Sequence, residues 1–339
     1  MKYLKYIVAA FALVIALGAL WIQPKKATEA DFLLDTYISV TAYGSGARQA
    51  AEKAIARVRE LDRLLSAFYP DSDVSKINSA GADVPVAVSD ECFGLIQRAM
   101  ELSEKTGGAF DFTIKPVMDL WGFGGENRRV PEDKERKDAL ELVDWSAVRL
   151  DKSAKTVTLL KEGMAIDLGG IAKGYCADAA ADVLRQEGIQ NAYLDFGGNV
   201  VTMGGMPLGL VDRIKYRAGT RPFVVGIQDP GGARGDVLET CTVEQERCAI
   251  VTSGGYERYF EENGVRYHHI LDPHTGRQPD NGIASVTVIG PSSETADALA
   301  TALFVTGPEG CGAVSGLFDQ VIFVYDTGEV EKIYPQGEN

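Results

Sequence analysis

The stretch Asp167-Leu-Gly-Gly-Ile-Ala-Lys-Gly-Tyr-Cys-Ala-Asp178 joins two patterns of apolar residues. Residues 165–168 close an apolar run that is typical of a buried strand. Further along, apolar side chains recur at helical spacing as far as Gly188, at Ile171, Tyr175, Ala179, Val183 and Leu184. Glycine commonly follows the last turn of a helix. The stretch therefore predicts a strand, a corner at Gly169-Gly170 and a helix.

This glycine corner has the composition of a binding site for a phosphate group or a metal ion. A helix start presents unpaired N–H groups and a partial positive charge, and glycine lacks the Cβ atom that would keep a ligand away. Lys173 adds a cation three residues after Gly170. A tight turn that binds nothing would use the same two glycines, so other segments must decide.

A second segment, residues 292–303, combines helix-capping residues with a run of Ala and Leu and predicts a helix. Asp297 and Thr301 lie four residues apart and would share one face among small apolar neighbours. A carboxylate and a hydroxyl there are suitable ligands for Mg²⁺, which prefers oxygen donors. The alternative is an Asp-to-Thr hydrogen bond on a half-exposed face.

At this point the chain resembles the ApbE-like flavin transferases, which are FAD:protein FMN transferases. The resemblance runs from about Asp35 to about Gly307 and depends on an ordered set of motifs. The motifs are Ser66-Ala-Phe-Tyr-Pro-Asp-Ser-Asp-Val-Ser-Lys-Ile-Asn78, Gly108-Ala-Phe-Asp-Phe-Thr-Ile-Lys-Pro116, Asp167–Asp178, Gly197-Gly-Asn199, Val225-Gly-Ile-Gln-Asp-Pro230, His269-Ile-Leu-Asp-Pro-His-Thr-Gly276 and Thr295–Thr301.

The resemblance implies an enzyme that takes FAD, uses Mg²⁺ at its pyrophosphate, transfers FMN to a Thr or Ser hydroxyl of a partner protein, and releases AMP. It implies that Asp297 and Thr301 hold the metal ion with their side chains and that Gly170 supplies a main-chain oxygen. The implied FAD contacts are Leu34, Ser66, Ala67, Phe68, Asp111, Lys173 and His269. The chain has Leu34-Asp35-Thr36 where the family has Met-Gly-Thr.

His269 corresponds to the family's candidate catalytic histidine. It would act as a general base for the acceptor hydroxyl or orient the pyrophosphate, and Asp272 is the competing base. A structural hydrogen bond would also explain a histidine at this position. A zinc site with Tyr267, His268 and His274 is conceivable, but the spacing lacks the regularity of zinc motifs.

Two other functions would use the same residues. With water in place of the acceptor hydroxyl, the metal site would make the chain an FAD pyrophosphatase that yields FMN and AMP. A non-catalytic FAD carrier outside the cytoplasm would keep the FAD contacts and need neither Asp297 nor His269 in working geometry. A dinucleotide-binding Rossmann domain is not indicated, because Trp121-Gly-Phe-Gly-Gly-Glu126 lacks the third glycine and a following helical pattern.

The chain is acidic, with 34 Lys and Arg against 48 Asp and Glu and a net charge of −14. This balance argues against nucleic-acid binding and against long-range attraction of an anionic dinucleotide. Local cations must therefore neutralise the pyrophosphate, which favours Mg²⁺ together with Lys173. The least regular stretch, Gly204–Arg221, is rich in Arg and Lys. It would be either a solvated loop or an edge of the active-site mouth.

Residues 1–26 have the form of an export signal or a membrane anchor, with a basic start, an apolar run from Tyr6 to Ile22 and a second basic pair. This places the protein outside the cytoplasm, either anchored to the cell membrane or released after cleavage. Residues 30–335 would form one domain. Five cysteines are present, of which Cys241 and Cys248 could form a disulfide across a hairpin.

The remaining patterns predict helices over 47–68 and 89–105, a hairpin over 148–159, and strands over 37–43, 191–203, 223–228, 267–271, 285–289 and 320–325. Strands joined through hairpins, with helices in adjacent pairs, favour an α+β fold over a doubly wound sheet. The family resemblance implies the same class: a two-lobed mixed-sheet core with paired helices and the ligand site between the lobes.

Overall fold

A computed structural model of the chain describes Tyr6, residues 25–123, Gly125, residues 127–233 and residues 235–335. The predicted export signal or anchor falls mostly outside these residues. Within them, no helix is both long enough and apolar enough to cross a membrane.

The described residues form helices and antiparallel strands. The α-helices are α1 (Ala47–Leu65), α2 (Asp73–Ser79), α3 (Asp90–Lys105), α4 (Lys115–Trp121), α5 (Asp133–Leu140), α6 (Ala172–Gln186), α7 (Leu210–Tyr216) and α8 (Ser293–Thr306). The strands are β1 (Lys26–Leu33), β2 (Thr36–Tyr43), β3 (Val86–Ala87), β4 (Val148–Asp151), β5 (Thr156–Leu159), β6 (Asn191–Phe196), β7 (Asn199–Met203), β8 (Met206–Pro207), β9 (Thr220–Arg221), β10 (Phe223–Gln228), β11 (Val237–Val243), β12 (Arg247–Gly254), β13 (Tyr259–Glu262), β14 (Val265–His268), β15 (Ile283–Gly290), β16 (Gln320–Tyr325) and β17 (Val330–Ile333).

An eight-stranded sheet, in the order β1-β2-β6-β7-β12-β15-β16-β17, organises the fold. Its neighbouring strands are antiparallel throughout. Helix α1 packs against α6, α6 against α8, and α8 against β12 and β15, so these three helices cover one face. Strands β10 and β11 cover the other face through a second apolar cluster that includes Phe223, Val225 and Ile250. The predicted α+β class is confirmed.

A smaller apolar cluster lies apart from the main core. Val117, Trp121, Phe123 and Leu271 form it, with Phe260 and Tyr267 packed at its edge. The Trp121 indole donates a hydrogen bond to the carbonyl of Gly276 at 2.8 Å, which ties α4 to the loop after β14. The molecule therefore has a large and a small packing unit, with loops of both facing each other.

The strand predicted at residues 165–168 is wrong. These residues pair with no described strand. Instead, the Asn78 side-chain amide donates to the Ile166 carbonyl at 2.9 Å and accepts from the Ile166 N–H at 2.7 Å. Asp167 N–H donates to the carbonyl of Phe112 at 2.8 Å. A side chain thus satisfies the backbone groups that a neighbouring strand would otherwise pair.

The two cysteines considered for a disulfide are both free thiols, as are Cys92, Cys176 and Cys311. Cys241 lies on β11 and Cys248 on β12, and these strands belong to different sheets. The residues between them therefore join two layers and do not form the expected hairpin. Burial raises the pKa of both thiols, to about 12 for Cys248.

Candidate active site

A cavity of about 490 Å³ lies between the large and the small packing unit. Residues of both units line it, including Phe112 and Leu168 from the first and Phe123 and Leu271 from the second. All the predicted site residues except Asp272 line this cavity: Leu34, Ser66, Ala67, Phe68, Asp111, Gly170, Lys173, His269, Asp297 and Thr301. The structure therefore brings together segments that are far apart in the sequence.

The glycine corner leads into α6 at the cavity. Ile171, the residue before α6, provides no side-chain cap for the helix, and Gly169, Gly170, Ala172 and Lys173 line the cavity. Among the described residues, the carbonyl of Gly170 accepts no main-chain hydrogen bond, because Gly174 N–H points to another acceptor. The corner thus offers both an open carbonyl oxygen and the positive end of a helix.

The acceptor for Gly174 N–H is Asp297 Oδ2 on α8, at 2.9 Å. Asp297 is only 2% exposed. Its other carboxylate oxygen, Oδ1, lies 3.5 Å from Lys173 Nζ. Thr301, one turn later, is half-buried and donates its hydroxyl proton to the main-chain carbonyl of Asp297 at 3.3 Å. Both residues on α8 therefore face the start of α6.

The close approach of α6 and α8 depends on glycine. A Cβ atom at Gly174 would lie 2.1 Å from the carbonyl oxygen of Ser293, which is less than any real Cβ contact. A Cβ atom at Gly170 would lie 3.1 Å from the Phe110 ring and 3.7 Å from Thr301 Oγ1. We call Gly170, Lys173, Asp297 and Thr301 the helix wall of the cavity.

The helix wall fits a hard divalent cation. A carboxylate, a hydroxyl and a main-chain carbonyl are the donor types that Mg²⁺ prefers, and Mg²⁺ normally completes its shell with waters and substrate phosphates. No group of three or more His, Cys, Asp or Glu side chains with metal-binding geometry occurs among the described residues.

His269 also lines the cavity, just after β14 ends. Its main-chain N–H and its Nδ1 both lie near the carbonyl oxygen of Arg258, at 3.1 and 3.2 Å. A carbonyl can only accept, so this contact requires a proton on Nδ1 and leaves Nε2 as a base. Burial, with a smaller contribution from the Arg258 charge, lowers the pKa of His269 to about 3 and keeps the ring neutral at physiological pH.

Asp272, the competing base, does not line the cavity. Its carboxylate accepts hydrogen bonds from the His274 N–H and the Thr275 hydroxyl, each at 2.9 Å. These contacts close a turn in the loop that follows β14. The geometry therefore favours His269 over Asp272 as the group that meets a substrate.

Arg258 connects His269 to the turn between β1 and β2. Its guanidinium lies 3.3 Å from the Asp35 carboxylate. Leu34 and Asp35 occupy this two-residue turn with φ of 54° and 57°, a left-handed conformation that is unfavourable for residues other than glycine. The Leu34 N–H donates to the buried Asp62 carboxylate, whose pKa burial raises. We call Leu34, Asp35, Arg258 and His269 the loop wall.

The other predicted FAD contacts shape the rim. The Ser66 hydroxyl accepts from the Phe68 N–H at 3.1 Å, and Phe68 is 62% exposed at the cavity edge. Asp111 is buried, and its carboxylate accepts from the Thr113 N–H and hydroxyl and from the Trp145 N–H. Burial raises the pKa of Asp111. Its side chain therefore holds the loop before α4 in place.

Acidic residues outnumber basic ones in the cavity lining. The acidic residues are Asp35, Asp62, Asp111, Asp119, Asp167, Glu257 and Asp297, and the basic ones are Arg128, Lys173 and Arg258. An anionic pyrophosphate would be repelled by such a lining unless a cation accompanied it. The basic stretch that the sequence left open, Gly204–Arg221, does not line the cavity; it holds the exposed helix α7 and strands β8 and β9.

The sequence analysis missed two lining residues that the geometry makes important. Asp62 follows Leu61 on the apolar face of α1, and a carboxylate within such a stripe was a detectable sign of a site. Arg258 gave no such sign, because an exposed arginine between two strands has the composition of an ordinary loop.

Comparison with known proteins identifies the family of the chain. The sequence profile of the ApbE family matches residues 34–319. The chain is 35% identical over 294 residues to the FAD:protein FMN transferase of Treponema pallidum, covering 84% of this chain and 80% of that protein.

Two solved structures are also similar. The ApbE protein of Thermotoga maritima superposes with a TM-score of 0.81 at 35% identity, covering 92% of this chain and 97% of that one. The apo form of the flavinyl transferase ApbE of Pseudomonas stutzeri superposes with a TM-score of 0.77 at 28% identity, covering 93% and 96%.

Proposed function

The chain belongs to the ApbE family, and on that premise we propose that it is an FAD:protein FMN transferase. The enzyme depends on Mg²⁺, moves FMN from FAD to a threonine or serine hydroxyl of an exported partner protein, and releases AMP. The observation that carries this proposal is the helix wall, where Gly170, Asp297 and Thr301 converge beside Lys173 in one cavity.

The helix wall would hold the metal ion and the pyrophosphate. Asp297, Thr301 and the carbonyl of Gly170 are the proposed metal ligands, and Lys173 is the proposed phosphate contact. A bound Mg²⁺ would neutralise charge on the pyrophosphate oxygens as the transition state develops. The positive end of the α6 dipole would add to the attraction for the same phosphates.

The transfer exchanges one phosphorus–oxygen bond for another. The acceptor hydroxyl oxygen attacks the phosphorus on the FMN side of the pyrophosphate, and the bridging bond to AMP breaks. Nε2 of His269 takes the hydroxyl proton, and AMP leaves with the bridging oxygen. A pKa of about 3 makes His269 a weak base in the free enzyme, and the negative charge of bound FAD would raise that pKa.

Incubation of the protein with FAD and Mg²⁺, with and without an acceptor, tests the activity. Exported proteins from cells that lack this chain serve as the acceptor, and covalent flavin is detected by fluorescence after a denaturing gel. Flavin on one protein band supports the transferase. Free FMN and AMP without acceptor support a pyrophosphatase, and unchanged FAD in both reactions supports a carrier.

The site of action is part of the proposal. An N-terminal segment with the form of an export signal or anchor places the enzyme outside the cytoplasm, at the cell membrane or released from it. Fractionation of cells that make the full chain, followed by protease treatment of intact spheroplasts, checks this. Protection of the chain from protease would contradict it.

A further inference from the structure

We propose that Asp178 is a positioning residue that keeps Asp297 and Thr301 on α8 in register with Gly170 and Lys173 on α6. The inference rests on the proposed function, because it assigns a role toward the proposed metal and phosphate site. Asp178 does not line the cavity. It acts through the contact between the two helices.

Asp178 lies on α6 and caps the start of α8. Its carboxylate accepts hydrogen bonds from the Ser292 hydroxyl at 3.1 Å, the Ser293 N–H at 3.1 Å and the Glu294 N–H at 3.0 Å. The Ser292 hydroxyl in turn accepts from the Thr295 N–H at 3.2 Å. A carboxylate on one helix thus satisfies the first N–H groups of another, and its charge complements the dipole of that helix.

A half-buried arginine fixes the carboxylate of Asp178. Arg247, at the start of β12, lies 2.6 Å from Asp178 Oδ1 and 2.7 Å from Asp182 Oδ1. The side chains of Asp178 and Arg247 are only 16% and 19% exposed. Water therefore screens this pair weakly, and the guanidinium holds the Asp178 carboxylate in place.

The cap lies next to the contacts that make the helix wall. Gly174, one turn before Asp178 on α6, meets the main chain of Ser293 and donates its N–H to Asp297. Asp297 follows the capped residues by one turn of α8. A shift of the first turn of α8 would therefore displace the Asp297 carboxylate relative to Lys173 and Gly170.

Asp178→Asn tests the role, because asparagine keeps the shape and one acceptor oxygen and removes the charge. FAD binding to the full chain is followed by flavin fluorescence while Mg²⁺ is titrated, with no acceptor present. We expect the Mg²⁺ concentration at half-saturation to rise roughly tenfold, the low end of what is lost when a group that orients a metal ligand is replaced.

Asp73→Asn is the matched control. Asp73 is also a buried carboxylate beside the start of another helix, accepting from the Ser89 N–H at 2.8 Å and pairing with Lys76 at 3.1 Å, and it does not line the cavity. We expect Asp73→Asn to lower the melting temperature and to leave half-saturating Mg²⁺ within about twofold, because distant sites are nearly independent.

Wild-type Mg²⁺ dependence in Asp178→Asn, or equal shifts in both variants, would overturn the positioning role. If Asp178→Asn does not fold, Arg247→Gln is used in its place. This change keeps the Asp178 cap and removes the arginine that fixes the Asp178 carboxylate. An unchanged Mg²⁺ requirement in Arg247→Gln then overturns the role. FAD binding by the wild-type chain that ignores Mg²⁺ would contradict the proposed metal site instead. FAD affinity would then replace the Mg²⁺ requirement as the measured quantity. A loss of affinity in Asp178→Asn that is absent from Asp73→Asn would support the role of Asp178, and equal affinities would overturn it.

Discussion

The two walls of the cavity are built in different ways. The helix wall consists of residues on two packed helices, and its central carboxylate, Asp297, is 2% exposed. The loop wall consists of a turn and the ends of short strands, and its ion pair joins Asp35 and Arg258, with side chains 72% and 42% exposed. One wall is fixed by buried contacts and the other by contacts that water can replace.

The difference matches the parts of the proposed reaction. A metal ion and a pyrophosphate need fixed donors at short distances, which packed helices supply. A protein acceptor must enter and leave, and loops with exposed ion pairs rearrange at small energetic expense. The comparison predicts that changes on the helix wall have large effects and that matched changes on the loop wall have small ones.

The largest contrast is expected between Asp297→Asn and Asp35→Asn. Loss of the buried Asp297 charge should weaken Mg²⁺-dependent FAD binding by roughly two orders of magnitude or more, because it removes a proposed metal ligand. Loss of the exposed Asp35 charge should change FAD binding by about fivefold or less. Flavin fluorescence titrations measure both, and similar losses in the two variants would contradict the comparison.

His269→Gln is expected to separate catalysis from binding. Removal of a general base should lower the rate of flavin transfer by about 10²–10⁴-fold, while Mg²⁺-dependent FAD binding persists because the helix wall is intact. Asp272→Asn is the control, since the Asp272 carboxylate is engaged within its own turn. Single-turnover transfer assays compare the two, and a loss confined to Asp272→Asn would reassign the base.

Gly174→Ala tests how tightly the helix wall is packed. A methyl group at this position would collide with main-chain atoms of Ser293, so we expect a loss of about 3 kcal/mol in the free energy of unfolding. Gly94→Ala in α3 is the control, because a Cβ there meets only the end of the Arg98 side chain, at 3.2 Å. Alanine should stabilise that helix by up to about 1 kcal/mol.

The smallest expected effect is a pH dependence of stability that arises at His268, the residue before His269 of the loop wall. Burial lowers the pKa of His268 to about 4, and the His268 ring packs edge-on against Phe304. Between about pH 6.5 and pH 4, the unfolded chain binds a proton at His268 that the folded chain does not, so stability falls as the pH falls.

Denaturant unfolding at pH 7 and pH 5 measures this dependence. The wild-type chain should lose roughly 1–2 kcal/mol more than His268→Gln over this interval, because glutamine binds no proton. The carboxylates titrate in both proteins and cancel in the difference. Equal losses in the two proteins would show that His268 is accessible to protons in the folded state.

The sequence predicted the four longest helices, α1, α3, α6 and α8, because their apolar faces repeat at a fixed spacing. Helix α1 begins at Ala47 as predicted and ends at Leu65, three residues before the predicted end. The early end comes from Ser66, whose extended backbone starts the rim loop of the cavity. Strands were less predictable. The strands missed were β1, β3, β8, β9, β11, β12, β13 and β17. The predicted strand at 267–271 ends at His268. His269 is therefore a loop residue.

The part of the site that lies on helices was also predicted from short sequence patterns. The helix wall has local sequence evidence: a glycine pair followed by a lysine, and an Asp and a Thr at helical spacing among apolar residues. The structure brings Gly170, Lys173, Asp297 and Thr301 together. The loop wall left little local evidence, because the pairing of Asp35 with Arg258 joins residues more than 200 positions apart. Such contacts arise from the sheet order, which no short pattern encodes.

The Lys173 ammonium beside Asp297 has a consequence for the order in which this pocket is assembled. The Asp297 carboxylate already has a counter-charge and a main-chain N–H donor. Its burial therefore does not require a bound divalent ion. The polypeptide can therefore mature in surroundings poor in such ions and acquire one afterwards. Under the proposed function, that timing lets the nucleotide deliver the ion together with its own phosphates.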